Sequence, residues 1–440
     1  MKIALFVHCF FPDHFFGTET YTLQVAKSLL ARGHDVTVVT GGFQYEPRYR
    51  AMLTRYVYDG VPVIVFDKNF LPHGSVAETY WQENTRPVLR QILDELRPDI
   101  VHVTHLVNHT AVLAGEAKAA GYPLVATLTD FFGFCYTSTL QAADGGLCKG
   151  PNMLRTNCIA CYDKATGNWP RFQYKLSILA ERLYYAWRRR RDERHMYPIG
   201  DLVKRPGILR KAYKHYDAMI TPTQFLYDAY ARNGFDSRRF VLSRFGVEMD
   251  RREKPPVNPE APLTIGYIGQ LAAHKGVDLL MNAARTLKPG SFKLKIYGPL
   301  DQSPYAMKLR GLATQDMEFC GTFLPAEFRA ILDGLDILVI PSTWYENSPL
   351  VLLNALASHT PVVVSNVQGM MEFLDGNNGW SFERGDEGEL GQLLRRLVED
   401  PAKTRAHSQT TNYTRTIDVM VDEVVDTYAK VLAGSAKANR

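Results

Sequence analysis

The 440-residue sequence predicts an α/β protein built from two doubly wound, parallel-sheet domains, and three observations carry that prediction. Short apolar, β-branched runs alternate with stretches of helical periodicity, the pattern of repeated βαβ units. That pattern stops at R-R-E-K-P-P-V-N-P-E-A-P, residues 251–262, where four prolines fall in twelve residues, and then starts again. The chain is also too long for one core, whereas two domains of ordinary size fit it.

Residues 2–7 form a first buried strand, and an apolar-periodic helix over about 20–31 is stopped by Gly33. A second strand at 35–40 completes a βαβ opening, which requires a parallel sheet and a right-handed crossover. The continuous apolar runs at 63–66, 100–103, 124–128 and 218–221 suit further strands buried on both faces. Beyond the prolines the expected order begins with strand 263–268, helix 277–287, strand 293–297 and a helix around 305–313. It continues with a short strand near Glu318, helix 325–334, strand 337–340, a helix, strand 361–364 and helix 387–399. A last helix spans 417–432. The predicted domains are 1–250, with an insertion at about 136–215, a hinge at 251–262, a second domain at 263–410, and a closing helix within 411–440.

No apolar run approaches the ~18 residues that a membrane-spanning helix needs. Residues 3–11 contain His8 and lead into Pro12 and Asp13 without a small-residue cleavage site, so they read as a strand and not a signal peptide. A cytoplasmic protein is the resulting expectation. The net charge of +5 conceals an asymmetry: residues 155–214 hold 15 Lys and Arg against 5 Asp and Glu, so the remainder is net acidic. The surplus centres on Arg188 to Arg191, preceded by Leu183, Tyr184, Tyr185 and Trp187. The segment 182–194 could lie on an anionic membrane surface, on the inner face of the cytoplasmic membrane, or grip an acidic acceptor. The other reading is a solvated helical face with its aromatics turned inward. No nucleic-acid-binding motif accompanies the patch, and nucleic acid is not an expected partner.

Chemistry concentrates in a few loops. Residues 344–358 read W-Y-E-N-S-P-L-V-L-L-N-A-L-A-S, directly after the apolar run 337–340 and Pro341. Ser348 is placed to cap a helix with Pro349 at its first position. Free N–H groups and a helix dipole then face outward at the carboxyl end of a strand, where open α/β sheets bind phosphate-bearing ligands. Glu346 sits at the mouth of that cradle and Asn354 lies further along the helix. Residues 266–276, G-Y-I-G-Q-L-A-A-H-K-G, put Gly269, Gln270 and Lys275 ahead of another helix, with an ammonium suited to a diphosphate. In P-D-H-F-F-G-T-E-T, residues 12–20, Gly17 permits close backbone approach and Thr18 or Glu19 can cap the helix. Residues 126–136, A-T-L-T-D-F-F-G-F-C-Y, carry Thr129 and Asp130 beyond a buried strand, and His102 and His105 end the strand before it.

Together these segments resemble family 4 of the retaining glycosyltransferases, of GT-B fold. The resemblance is strongest over 263–400, fair over 1–45 and 97–135, and absent from the insertion. It implies two Rossmann-like domains facing across a cleft, with the terminal helix crossing back to the first. The 344–358 segment is similar to the family's E-x7-E signature: Glu346 takes the place that binds donor-sugar hydroxyls, and Asn354 replaces the second Glu, which binds ribose. Lys275 matches the diphosphate-binding Lys, Gln270 replaces an Arg, and Gly17 stands where the family has paired glycines facing the donor. Asp130 matches the family's Asp, with Thr129 in place of a His.

The resemblance further implies a hexosyltransferase with Glu346, Lys275 and Asp130 as catalytic groups. Its nucleotide-diphosphate-sugar donor is held by Gly17, Gln270, Lys275, Glu346, Asn347, Ser348, Pro349, Leu350, Val351 and Asn354. His102, His105 and Thr129 would line the side of a glycan or lipid-linked acceptor, in cell-envelope polysaccharide synthesis. No catalytic metal is implied. Two rivals stand beside this reading: a GT-B transferase or epimerase of another family, and an inactive donor-binding scaffold, for which the departures at Thr129, Gln270 and Asn354 argue.

Four of six cysteines, Cys135, Cys148, Cys158 and Cys161, fall in one Gly- and Asn-containing stretch that ends in C-I-A-C. They supply the four ligands of a tetrahedral structural zinc site. An iron–sulfur cluster and four unrelated thiols are the alternatives. Cys9 and Cys320 read as core residues.

Overall fold

In strand β1 (Lys2–Val7) every residue after Lys2 is buried, because the strand lies mid-sheet with elements over both faces. The computed structural model describes residues 1–43, 48–167, 178–193 and 198–438. They divide into two compact units, the first made of 1–244 and 417–440 and the second of 245–416.

In the first unit β1 is followed by α1 (Gly17–Ala31), β2 (Asp35–Gly42), β3 (Leu53–Tyr58), β4 (Val61–Asp67), α2 (Arg86–Leu96), β5 (Ile100–Val103), α3 (Val112–Ala119) and β6 (Leu124–Thr127). Then come α4 (Thr156–Ala165), α5 (Ile178–Glu193), α6 (Ile199–Tyr213), β7 (Ala218–Thr221), α7 (Gln224–Arg232) and β8 (Phe240–Leu242). The sheet order is β3-β4-β2-β1-β5-β6-β7-β8. All pairings are parallel except β3 on β4, and β1 is the strand from which the order runs both ways. β3 escaped the sequence pattern because it is an edge strand of half-exposed residues, without the continuous apolar run of a buried one.

The second unit runs β9 (Leu263–Ile268), α8 (Val277–Ala284), β10 (Phe292–Tyr297), α9 (Pro304–Leu312), β11 (Met317–Gly321), α10 (Phe328–Asp333), β12 (Ile337–Ile340) and α11 (Leu350–Ala357). It closes with β13 (Val362–Ser365), β14 (Gly379–Phe382), α12 (Glu387–Glu399) and α13 (Pro401–Ala406). Its all-parallel sheet has the order β11-β10-β9-β12-β13-β14, so the order reverses between β9 and β12. Leu263, Ile265, Leu294, Ile296, Ile337 and Val339 form its core with the apolar faces of α8 and α12.

The last helix, α14 (Ile417–Ala438), belongs to the first unit, where it buries Met420, Val421, Val424 and Tyr428. The Pro-rich stretch 251–262, expected as a hinge, lies wholly within the second unit. Lys254 fastens it there, its Nζ donating to the Leu332 carbonyl and to Thr360 Oγ1, each at 2.9 Å. Cys9 and Cys320 are half-buried, not core residues. Of the basic segment 182–194, Arg194 and the side chains of Arg182, Arg188 and Arg191 lie outside the described residues. On the rest of α5, Tyr185 is buried while Leu183 and Trp187 are exposed, so its aromatics divide between the two readings. No helix among the described residues is long and apolar enough to cross a membrane.

Candidate functional site

The strand order reverses between β9 and β12, the place where open α/β sheets bind their ligands, and the loops leaving those strands bring the key side chains together. The β9 loop returns through a single tight turn, Ala273–Lys275, to Gly276. Gly276 has φ +70°, and a Cβ there would lie 2.0 Å from the Pro341 carbonyl oxygen, so only glycine lets this loop press on the one after β12. The Thr343 N–H then donates to the His274 carbonyl at 2.9 Å and ties the loops together.

That register places Lys275 Nζ 2.7 Å from Glu346 Oε1. The same oxygen accepts from Ser342 Oγ at 2.6 Å and from the Trp344 indole N–H at 3.0 Å. The Trp344 ring also lies 5.0 Å from the Lys275 ammonium and 4.0 Å from the His274 ring. Glu346 is only 7% exposed. Burial pushes its carboxyl up, but the Lys275 charge and the donors on its oxygen outweigh that and hold it below the usual range, as a carboxylate. Gly369 fixes the loop from behind: at φ +90°, a Cβ would come within 1.7 Å of the Glu346 carbonyl oxygen.

The expected cap differs. Pro349, not Ser348, is the N-cap residue, with no side-chain hydrogen bond, and α11 begins at Leu350. Ser348 takes φ +56°, and its buried Oγ has no hydrogen-bond partner among the described residues. With Ser348 in a left-handed turn one residue ahead of the N-cap, its hydroxyl makes no capping bond to the helix. The N–H groups of Leu350 and Val351 have no backbone partner among the described residues, as expected of the first turn of a helix. Asn354 Nδ2 donates to the Leu350 carbonyl at 2.8 Å, which leaves the amide oxygen as its acceptor. The Gln270 carbonyl is held by the Tyr267 hydroxyl at 2.7 Å. Ser342, Trp344, His274 and Gly369 are additions that the sequence pattern did not supply. Trp344 lies within the 344–358 segment, but nothing local shows that its N–H turns back to a residue two positions on.

A second cluster lies in the first unit, past the carboxyl ends of β1, β5 and β6. His105 Nε2 and Asp130 Oδ2 are 2.8 Å apart, and the His105 ring packs 4.1 Å from that of His8. Burial acts to lower the His105 imidazole, but Asp130 and Glu19 outweigh it and hold the group above its ordinary value. His8 and Glu19 lie 3.3 Å apart, and burial lowers the His8 imidazole well below its ordinary value while raising the Glu19 carboxyl. Asp130 Oδ1 accepts the Phe132 N–H, and Thr129 donates to the Thr104 carbonyl.

His102 departs from expectation. It is fully buried between the Tyr428 hydroxyl at 2.6 Å and Thr127 Oγ1 at 2.9 Å, with both ring nitrogens engaged, and burial brings its pKa to about 3. It is a core group and lines no acceptor pocket, because side chains alternate faces along β5 and this one points into the layer covered by α14. α1 starts at Gly17, so Thr18 and Glu19 lie inside its first turn and do not cap it.

A family model described as "Glycosyl transferase 4-like domain" matches residues 16–246, and one described as "Glycosyl transferases group 1" matches residues 262–400. The chain is 28% identical over 197 residues to the putative colanic acid biosynthesis glycosyltransferase WcaL of Escherichia coli, 42% of this chain and 48% of that one. It is 30% identical over 184 residues to the amylovoran biosynthesis glycosyltransferase AmsK of Erwinia amylovora, 38% and 44% of the two chains. The match thus spans about half the length of these relatives. Among solved structures, sucrose-phosphate synthase from Thermosynechococcus elongatus superposes with a TM-score of 0.65 at 16% identity, over 98% of this chain and 99% of that one. Anabaena HepE in complex with UDP and glucose superposes with a TM-score of 0.63 at 15% identity over the same shares. The fold is therefore GT-B, with two Rossmann-like parallel-sheet domains.

Proposed function

The chain belongs to the glycosyltransferase family of these two models, and from that premise we propose that it moves a hexose from a nucleotide-diphosphate sugar to a glycan or lipid-linked glycan. The observation that carries the reading is the buried Glu346 carboxylate held by Lys275, Ser342 and Trp344 beside the start of α11. Without donor the ammonium and carboxylate neutralise each other. A diphosphate competes for Lys275, and sugar hydroxyls take over Glu346, so one bound molecule satisfies both charges. Phosphate oxygens meet the N–H groups of Leu350 and Val351 and the Ser348 hydroxyl, and the Asn354 amide oxygen accepts from a ribose hydroxyl.

The transfer retains configuration. The bond between the anomeric carbon and the phosphate oxygen breaks, the acceptor oxygen attacks from the same face, and its proton passes to the departing phosphate. The chain then supplies position and charge stabilisation, not a nucleophile. Asp130, with His105, serves the acceptor side of the reaction. The names of WcaL and AmsK support an envelope polysaccharide as product. Exposed Leu183 and Trp187, on a helix that also carries Arg189 and Arg190, support an anionic bilayer surface as the place where a lipid-linked acceptor is met.

The test is hydrolysis and transfer by the purified chain with UDP-, GDP- and ADP-linked hexoses, UDP first because a neighbour of the same fold was solved with it. Glu346→Gln should lower kcat on the order of 10²- to 10³-fold while the protein stays folded. The departures at Thr129, Gln270 and Asn354 favour one second reading, a donor-binding scaffold. Donor binding by thermal shift without turnover of any donor would select it.

A further inference from the structure

We infer that Cys135, Cys148, Cys158 and Cys161 bind one zinc ion, which cross-links the loop-rich segment 135–161 and gives the buried guanidinium of Arg205 its counter-charge. All four cysteines line a single small cavity together with Gly150 and Asn157. They arrive there from three separate places: Cys135 from the turn after β6, Cys148 from the end of a short loop, and Cys158 and Cys161 from adjoining turns of α4. Residues three apart on a helix share a face, which is why a C-x2-C pair can present two sulfurs to one point. All four are free thiols, with no disulfide among them.

Hydrogen-bond donors already face one of the sulfurs. The Gly150 N–H and Asn157 Nδ2 both donate to Cys148 Sγ at 3.4 Å, the outer-shell donors that ligating sulfurs use. The Cys148 loop is braced from outside, because Gly150 has φ +121° and a Cβ there would meet Asn233 Oδ1 at 2.3 Å. Ala143, Ile159, Ala160, Tyr185 and Ile199 form a small apolar cluster beside the sulfurs, against which Cys161 itself packs. A metal there would add cross-links that a loop-rich segment cannot make through its backbone.

Arg205 provides the independent observation. It is 3% exposed, its Nη2 donates to the Phe132 carbonyl at 2.7 Å, and its buried Nη1 has no hydrogen-bond partner among the described residues. The guanidinium lies 4.8 Å from the Phe132 ring and forms no ion pair with a carboxylate among the described residues. Cys135, Tyr213, Asp130 and Cys158 are the ionisable groups whose charge would act on it. A buried guanidinium that no carboxylate pairs directly is poorly compensated. Four thiolates around a divalent ion carry a net charge of about −2, and they supply the missing charge.

As the side chains stand, no three of them are set to hold an ion: Cys135 Sγ lies by Thr137 Oγ1, Cys158 Sγ by Asn157 Oδ1, and Cys161 Sγ donates to the Gln141 carbonyl. These are the contacts of protonated thiols. Zinc binding displaces four thiol protons to solvent, forms four Zn–S bonds, and turns each Sγ inward by rotation about χ1, with no electron transferred.

The full chain, purified without added metal, should contain about one zinc per molecule by elemental analysis. A mercurial should release that zinc in step with the titration of four thiols. Cys158→Ser and Cys161→Ser should each lose most of the metal, whereas Cys9→Ser and Cys320→Ser should keep it. Cobalt exchanged into the wild-type chain should give a tetrahedral thiolate spectrum. Wild-type protein that is folded, free of metal, and has all four thiols immediately reactive would overturn the inference, as would four thiols found paired in disulfides. Both outcomes are read on the unmutated chain and are independent of transfer activity.

Discussion

Glu346 and Lys275 show how much a side chain's meaning depends on its neighbours. Alone, a buried carboxylate would protonate; with an ammonium, a hydroxyl and an indole on one oxygen it stays charged. Because its folded pKa lies below the ordinary 4.5, this group contributes stability that is fully present above pH 4.5 and lost as pH falls through the depressed value. Replacing Lys275 with Met leaves burial unopposed by charge and reverses the shift. Through Glu346, the urea midpoint of Lys275→Met should therefore gain on that of the wild type as pH falls through 4.5, because the mutant's folded state now binds the proton more tightly than its unfolded state, and coincident acid profiles would remove the ion pair from the explanation.

His105 has the opposite sign. Held above 6.5 by Asp130, it contributes stability that is complete below that value and lost as pH rises through the folded pKa. Asp130→Asn should abolish that alkaline loss, as followed by urea midpoints across pH. Ser348 gives the sharpest contrast at this scale. A capping serine costs about 1 kcal/mol when changed to alanine, but this hydroxyl caps nothing. Ser348→Ala should leave the unfolding free energy within about 0.5 kcal/mol of wild type and raise the donor KM. A large stability loss with unchanged KM would contradict the assigned role.

Elements are positioned by a few points of backbone contact. Gly276 lets the β9 loop lie against Pro341, and Gly369 presses on the carbonyl of Glu346. Gly276→Ala adds a methyl where a carbonyl oxygen already sits, in a left-handed conformation that costs a non-glycine residue roughly 1–2 kcal/mol before any clash. The loops must part, which separates Lys275 from Glu346. Denaturant unfolding should show at least that loss, and activity should fall with it even in the folded fraction. The strands were legible wherever they were buried on both faces: the apolar runs at β1, β5, β7 and β12 match the built elements. The edge strand β3 and the start of α1 at Gly17 were not, since neither exposed alternation nor a helix without a capping side chain leaves a strong local mark.

For the molecule as a whole, chain order and spatial order diverge. α14 is last in sequence yet completes the first unit, where Tyr428 reaches His102, 326 positions away. It buries Met420, Val421, Val424 and Tyr428, each contributing about 1.5–3 kcal/mol, together comparable to the entire stability of a domain. A chain ending at Thr416 should lose the cooperative unfolding transition of the first unit and keep that of the second, as followed by calorimetry. Two unchanged transitions would show that the helix is dispensable. The sequence also misread His102, because alternation along a strand does not reveal which face a terminal helix will cover.

The residues by themselves determined the alternation of strands and helices, the loops that carry Lys275 and Glu346, and the clustering of four cysteines, because these depend on local periodicity and spacing. Only the tertiary structure decided that Lys275 and Glu346, 71 positions apart, share one ion pair, and that Arg205 is buried without a carboxylate paired to it among the described residues. The physical reason is that β9 and β12 are neighbours through parallel pairing across two intervening βα units. Such pairing is fixed by the burial of whole sheet faces and leaves no signature in either segment alone.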